Sequence, residues 1–133
     1  DGQRQTIAQS LAAHQAGTTV PMVIEAGGQV VGRITINDVV RGAFQSAHLG
    51  YWVAASRTGR GVATAAVAAA ARVAFEDLGL HRLQADTLVT NTASQRVLAR
   101  NGFTRIGTAP RYLHIAGSWQ DCHLHQLLHE PTT

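Results

Sequence analysis

The sequence predicts an α/β fold: a mixed, mostly antiparallel sheet with one parallel β-α-β crossover at its centre, flanked by helices. Three observations carry that prediction. Residues 20–26 and 29–37 are rich in β-branched side chains and meet at Gly27-Gly28, the signal of a hairpin. A long alanine-rich stretch, closed by Gly79, stands between two strand-like segments at 48–55 and 81–89. The tail at 103–128 holds a further strand and a second hairpin about Gly117.

Each element rests on its own pattern. Residues 6–16 place Ile7 and Leu11 one turn apart ahead of Gly17, the spacing of a short amphipathic helix. Residues 29–37 alternate, with Val31, Arg33 and Thr35 on one side and Val30, Gly32, Ile34 and Ile36 on the other, as in a half-buried strand. Residues 38–47 show no period and read as a loop. Leu49, Tyr51, Trp52 and Val53 make 48–55 a strand, which ends in the turn 56–61. A helix follows to Leu78, and its small side chains suit close packing on a sheet. After the strand 81–89, residues 90–94 open a second helix that stops at Asn101-Gly102. Residues 103–108 form a strand, and 111–115 pair with 118–128.

Composition narrows the function. At 133 residues the chain has the size of one domain, and 1–133 is read as a single unit. Apolar residues at 45% against charged ones at 14% exclude a disordered polyelectrolyte. The net charge of +3 comes from eleven arginines without one lysine, beside 22 alanines. That pattern points to coding bias rather than a phosphate-binding surface, so nucleic acid is not an expected partner. A lone cysteine, Cys122, permits no intrachain disulfide and fits a reducing cytoplasm. The longest weakly polar run, 62–71, falls well short of the roughly 20 apolar residues of a membrane span. No secretory signal opens the chain. A cytoplasmic protein without a membrane span is expected.

Chemistry concentrates where the central strand turns into the alanine helix. Gly59-Arg60-Gly61 leaves several main-chain N–H groups unpaired and unshielded at a helix start. With the helix dipole they suit a phosphate or diphosphate, and Arg57 and Arg60 add charge; the plainer use is a tight turn with a favourable helix entry. A Walker loop is excluded for want of lysine. A dinucleotide fingerprint lacks its third glycine, since Thr64 stands there, although Asp86 on the next strand keeps an oxidoreductase open. Coenzyme A is the third reading.

Three motifs bear on that choice. Thr58-Gly59-Arg60-Gly61-Val62-Ala63 resembles the Arg/Gln-x-x-Gly-x-Gly/Ala signature of GNAT-superfamily N-acetyltransferases. Asn91-Thr92-Ala93-Ser94 through Val97-Leu98 to Gly102-Phe103 is similar to a segment of the ribosomal-protein-alanine N-acetyltransferase branch. Gly117-Ser118-Trp119-Gln120-Asp121 resembles the Gly-x-Trp-x-Asp hairpin of that branch. The resemblance covers about residues 17–129 and implies a GNAT fold using acetyl-coenzyme A. It also implies a strand and a helix ahead of the first residue here, with the chain opening inside the second helix and the acceptor site most affected. Edge strands left bare in that way would favour a homodimer.

Site roles follow from the resemblance. The strand Tyr51-Trp52-Val53 would offer main-chain groups to the pantetheine arm and an N–H to the thioester carbonyl. Gly59, Arg60, Gly61, Val62, Ala63 and Thr64 would hold the diphosphate. Thr58 departs from the signature, and Arg57 is its substitute. Asn91 would reach the arm, or serve only as a helix cap. Ser94 would hydrogen-bond the departing sulfur, or only close the cap. Leu98 stands where many relatives outside the branch carry a tyrosine acid, so a tyrosine acid at that place is excluded.

The reaction also needs a base, because a free amine is mostly protonated at neutral pH. Asp86 is the first candidate, against a plain ion pair with Arg82. The branch's glutamate before the last hairpin has no counterpart in Tyr112-Leu113-His114, which leaves His114, Asp121 and His123 in reserve. Asp121 is read rather as fixing the hairpin. His123 and His125 share a strand face without cysteine or carboxylate support, so no metal is expected, and Cys122 is read as a buried strand residue. The expected function is acetyl transfer to a primary amine, either the α-amine of a ribosomal protein or a small molecule such as a polyamine or antibiotic. The alternative is a non-catalytic coenzyme A-binding domain.

Overall fold

A computed structural model describes residues 5–9 (main chain), 19–54 and 61–129. Seven strands form one sheet in the order β1-β2-β3-β4-β5-β7-β6. The strands are β1 (Gln5–Gln9), β2 (Val20–Ala26), β3 (Gln29–Val40), β4 (Ser46–Val53), β5 (Arg82–Leu88), β6 (Thr104–Ile115) and β7 (Ser118–Leu128). All neighbours are antiparallel except β4 and β5. Helix α1 (Val62–Arg72) makes the crossover between those two, and α2 (Thr92–Arg100) follows β5. The predicted mixed sheet with one central parallel crossover is the one observed.

One core lies between the sheet and the helices. Val20, Met22 and Ile24 of β2, Ile34 and Ile36 of β3, Leu49 of β4 and Leu83 of β5 meet Val67, Ala70 and Ala74 from the alanine helix. The methyl-sized side chains let that helix sit close, and each strand residue it covers is almost fully buried.

Several boundaries differ from the sequence reading. The amphipathic spacing at the start does not give a helix at 6–9, because those residues belong to β1, paired antiparallel with β2. Tertiary pairing there outweighs a two-residue periodicity. The remainder of that predicted helix lies outside the described residues. The loop expected at 38–47 is shorter: β3 runs on to Val40, past a register shift, and β4 already begins at Ser46. The predicted strand 103–108 and the hairpin arm 111–115 are one strand, β6, with register shifts at Arg105–Gly107 and between Ala109 and Leu113.

The helix expected to reach Leu78 is α-helical only to Arg72 and continues as a π-turn over Val73–Asp77. Gly79 still ends it. Its φ of +68° lets the Leu80 N–H reach the Ala74 carbonyl at 3.0 Å, one residue further back than in a Schellman stop, as the wider π-turn before it allows.

The alternation read for β3 breaks at a bulge. Ile24 pairs with Gly32 and Glu25 with Val30, which leaves Val31 extra. Below that point the faces exchange, so Val31 is buried with Ile34 and Ile36 while Val30 is 60% exposed. Gly32 follows the bulge and lies against β4, where a Cβ would overlap the Trp52 carbonyl oxygen.

Candidate functional site

The parallel pairing of β4 with β5 is short. It joins Ser46, Ala47 and His48 to Arg82, Leu83 and Gln84 and then stops. Beyond it the two strands part, and Tyr51 and Val53 enter the gap. Their main-chain direction follows from one bond: the Ala54 N–H donates to the Val31 carbonyl on β3 at 2.7 Å. Successive residues of a strand turn their polar groups to opposite edges, so those of Tyr51 and Val53 face the gap. Among the described residues no strand pairs them there. The gap edge of β4 is therefore a row of free donors and acceptors.

A cleft of about 360 Å³ opens on this edge. Tyr51, Trp52 and Val53 line one side; Gly61, Ala63 and Thr64, from the start of α1, line a second. Asn91 and Ser94, from the start of α2, close the third. Gly61 adopts φ +75° immediately before α1, and among the described residues no side chain caps that helix start, so its first N–H groups suit an acceptor from outside them. The cleft thus gathers eight of the predicted binding residues. Val62 turns its side chain into the core instead, at 3% exposure, because it lies on the helix face toward the sheet. Arg57, Thr58, Gly59 and Arg60 lie outside the described residues.

Asn91 caps α2, its Oδ1 accepting the Ser94 N–H at 3.1 Å. That bond fixes the backbone at Ser94 and leaves the serine hydroxyl to a partner that the sequence reading missed. The Tyr51 hydroxyl lies 2.6 Å from Ser94 Oγ, bridging β4 and α2 across the cleft. Burial pushes the Tyr51 phenol up from its ordinary pKa, and the serine contact only partly opposes this. The signal was present in the sequence: Leu49, Tyr51 and Val53 alternate onto the core face, where a tyrosine hydroxyl needs a partner. Leu98 is fully buried in the core.

Asp86 is not among the residues lining the cleft. By the ladder register it shares the opposite face of the sheet with Arg82 and Gln84, whereas Leu83 and Ala85 join the core. The expected ion pair with Arg82 is absent. Arg82 instead donates to Gln126 Oε1, Ser46 Oγ and Gln84 Oε1 at 2.9–3.1 Å. Gln84 passes the contact on, its Nε2 donating to Asp86 Oδ1 at 3.0 Å. The carboxylate is thus held by an amide that the arginine has oriented.

The reserve bases are engaged on the last hairpin. His114 packs edge-on against Trp119, with ring centroids 5.2 Å apart. Arg105 donates to His123 Nε2 at 3.0 Å, which leaves Nδ1–H for Thr108 Oγ1 at 2.8 Å, so neither lone pair nor proton is spare. Asp121 accepts the Arg111 N–H at 2.8 Å, pinning the three-residue irregularity of β6 where Arg111 has φ +50°. Cys122 is buried, and burial followed by the Asp86 and Asp121 charges pushes its thiol up, which disfavours the thiolate.

Comparison with known proteins agrees with this geometry. The acetyltransferase (GNAT) domain family matches residues 1–104. The chain is 36% identical over 100 residues to the probable N-acetyltransferase YjcK of Bacillus subtilis, 75% of this chain and 54% of that protein. It is 36% identical over 93 residues to the ribosomal protein uS5-alanine N-acetyltransferase of Escherichia coli, 70% of this chain and 48% of that one. Among solved structures, Mycobacterium smegmatis RimJ in complex with CoA-disulfide is similar at a TM-score of 0.85 and 44% identity, over 88% of this chain and 56% of that chain. The chain spans about half the length of the curated relatives it matches.

Proposed function

The chain belongs to the GNAT acetyltransferase family, and from that premise we propose that it moves an acetyl group from acetyl-coenzyme A to a primary amine. The observation that carries this reading is the unpaired gap edge of β4, meeting the uncapped start of α1 in one cleft. An extended pantetheine arm adds to such an edge as a further strand, and a diphosphate suits the free N–H groups of the helix.

The steps divide between the two faces of the sheet. The amine approaches from the Asp86 face and loses a proton to that carboxylate, directly or through water. Its lone pair attacks the carbonyl carbon, whose oxygen takes up charge beside a main-chain N–H of β4. The carbon–sulfur bond then breaks on the helix face. Ser94 gives its proton to the leaving sulfur and is resupplied by the Tyr51 hydroxyl, while the nitrogen sheds its second proton to water and the phenol recovers one from water. The acceptor we propose is the α-amine of a protein, with ribosomal proteins first, in a cytoplasmic setting; the relative that acetylates uS5 supports this.

A screen of N-terminal peptides, polyamines and aminoglycosides by mass spectrometry tests the proposal. A mass gain of one acetyl group on a peptide α-amine is expected. Coenzyme A binding without acetylation of any amine would reduce the protein to a binding domain. Self-association is part of the same reading. The edge strand β6 exposes Ile106, Leu113 and Ile115 at 40–46%, and an apolar open edge favours pairing with a second copy. Light scattering should give a dimer mass, and a monomer at tens of micromolar would refute it.

A further inference from the structure

One glycine of β4 is not required by the fold. Gly50 stands in mid-strand, where glycine weakens a sheet. Its φ lies outside the left-handed region, and it pairs with Thr35 in unbroken register, so neither a turn nor a bulge calls for it. Gly32 is needed because β4 lies against it, but a Cβ on Gly50 would meet nothing within 4 Å among the described residues. A strand glycine without those causes marks a place where something from outside approaches the backbone.

Its position says what approaches. Leu49 and Tyr51 turn toward the core, so Gly50 lies on the other face of the sheet, the face of Asp86. The parallel ladder ends at His48 with Gln84, and two residues further along each strand come Gly50 and Asp86, at the mouth of the gap. Other sides of the carboxylate are taken. Gln84 donates to it along β5, Leu124 stands across from it on β7, and the Tyr112 hydroxyl donates to it from the β6 irregularity. The side toward β4 is bare among the described residues, with the exposed Trp52 bordering it two residues on.

An amine that gives its proton to Asp86 and its lone pair to a carbonyl in the gap has its nitrogen between the two. The carbon that bears the nitrogen then rests over Gly50. An unbranched amine, or a peptide beginning with glycine, carries one substituent on that carbon; a peptide beginning with any other residue carries two. We infer that Gly50 is a specificity-determining residue, whose absent side chain makes room for the second substituent and so admits side-chain-bearing α-amines to the base. This rests on the acetyl-transfer reading above and deepens it.

Steady-state kinetics test it on the unaltered chain and on Gly50→Ala, with two peptides that differ only in beginning with alanine or glycine. The variant should lose about tenfold in kcat/KM for the alanine-first peptide, mostly through KM. For the glycine-first peptide the loss should be about threefold or less, since a methyl missing from the substrate gives back the room that a methyl on the protein takes. Calorimetric affinity for coenzyme A should not change, and Tm should hold or rise, because alanine replaces a flexible strand glycine. Equal losses on both peptides, or none, overturn the inference. So does a lower Tm with weaker coenzyme A binding, which would make Gly50 a structural residue of β4. An unaltered chain that acetylates spermidine or the glycine-first peptide but not the alanine-first one keeps the transfer reading and overturns this inference. One that acetylates no amine ends both.

Discussion

The proton between Ser94 Oγ and the Tyr51 hydroxyl is the smallest unit on which the mechanism turns. Burial keeps the phenol protonated at neutral pH, so the serine can turn its own hydrogen to the sulfur while accepting from tyrosine. Ser94→Ala should lower kcat about a hundredfold and leave the KM for acetyl-coenzyme A nearly unchanged. Tyr51→Phe should cost about tenfold, because the serine proton remains while its resupply is lost. Steady-state kinetics with both substrates varied decides this, and a Ser94→Ala enzyme at full kcat would remove the serine from the reaction. Asp86→Asn should lower kcat/KM for the amine by about 10²–10⁴ while calorimetric affinity for coenzyme A stays as it was. A carboxylate with only a strand role predicts the reverse, a lower Tm and undiminished turnover. Gly61, Asn91 and Ser94 were legible in the sequence because a glycine turn and a helix cap are local arrangements. The Tyr51–Ser94 contact and the cleft-lining face of α2 were not read. Their faces depend on which side of β4 meets α2, and on Leu98 and Asn101 setting the roll of that helix. Asp86 was found as a residue, but its link to Arg82 through Gln84 needs a third side chain that spacing alone does not choose.

Strands and helices were legible where periodicity ran unbroken, and misread where one inserted residue reversed it. The bulge at Val31 is such a place, since a single extra residue exchanges the faces of β3. Gly32, next along, lets β3 approach the Trp52 carbonyl, and Trp52 lies between the two residues that face the gap. Gly32→Val should destabilise by ~1–3 kcal/mol in urea unfolding, the range for overpacked sites, and should also weaken coenzyme A binding as β4 shifts. Loss of stability with unchanged affinity would separate the bulge from the site. On β7 the constraint is electrostatic. Burial first, then the Arg105 and His123 charges, push the pKa of His125 down, with Asp86 opposing. The ring sits 3.3 Å from Thr87 Oγ1 on β5. An unfolded chain takes up that proton near the ordinary histidine pKa of about 6.5, whereas the folded chain resists until lower pH. The stability involved is therefore whole above about 6.5 and is lost as pH falls through the folded value. Thermal melts between pH 7.5 and 5 should show a smaller acid-side drop in Tm for His125→Gln than for the parent. Parallel curves would place the acid sensitivity elsewhere.

Over the whole molecule the sheet is nearly two sheets. Four strands, β1 to β4, and three, β5 to β7, are joined by only the three residue pairs of the parallel ladder. What else holds the halves together is the shared core beneath α1, the Gln45 carbonyl accepting from the His81 and Arg82 N–H groups, and side-chain ties that include Arg82 with Ser46, Tyr51 with Ser94 and Asn101 with Thr64. The parted strands leave β4 with unsatisfied main-chain groups, which costs stability unless water or a ligand supplies partners. A molecule lying in the gap contacts β4, α1 and α2 at once and so couples the halves rather than decorating one of them. The consequence is measurable without any acceptor amine. Coenzyme A at about 100 times its Kd should stabilise the fold by ~2.7 kcal/mol, and NAD at the same concentration should not. Because the added stability belongs to both halves, near-UV and far-UV transitions should move upward together. A rise with NAD and none with coenzyme A would return Asp86 and the glycine turn to the dinucleotide reading. A shift seen by one probe alone would mean that the two halves of the sheet respond separately, and that the gap is not the seam that its occupant closes.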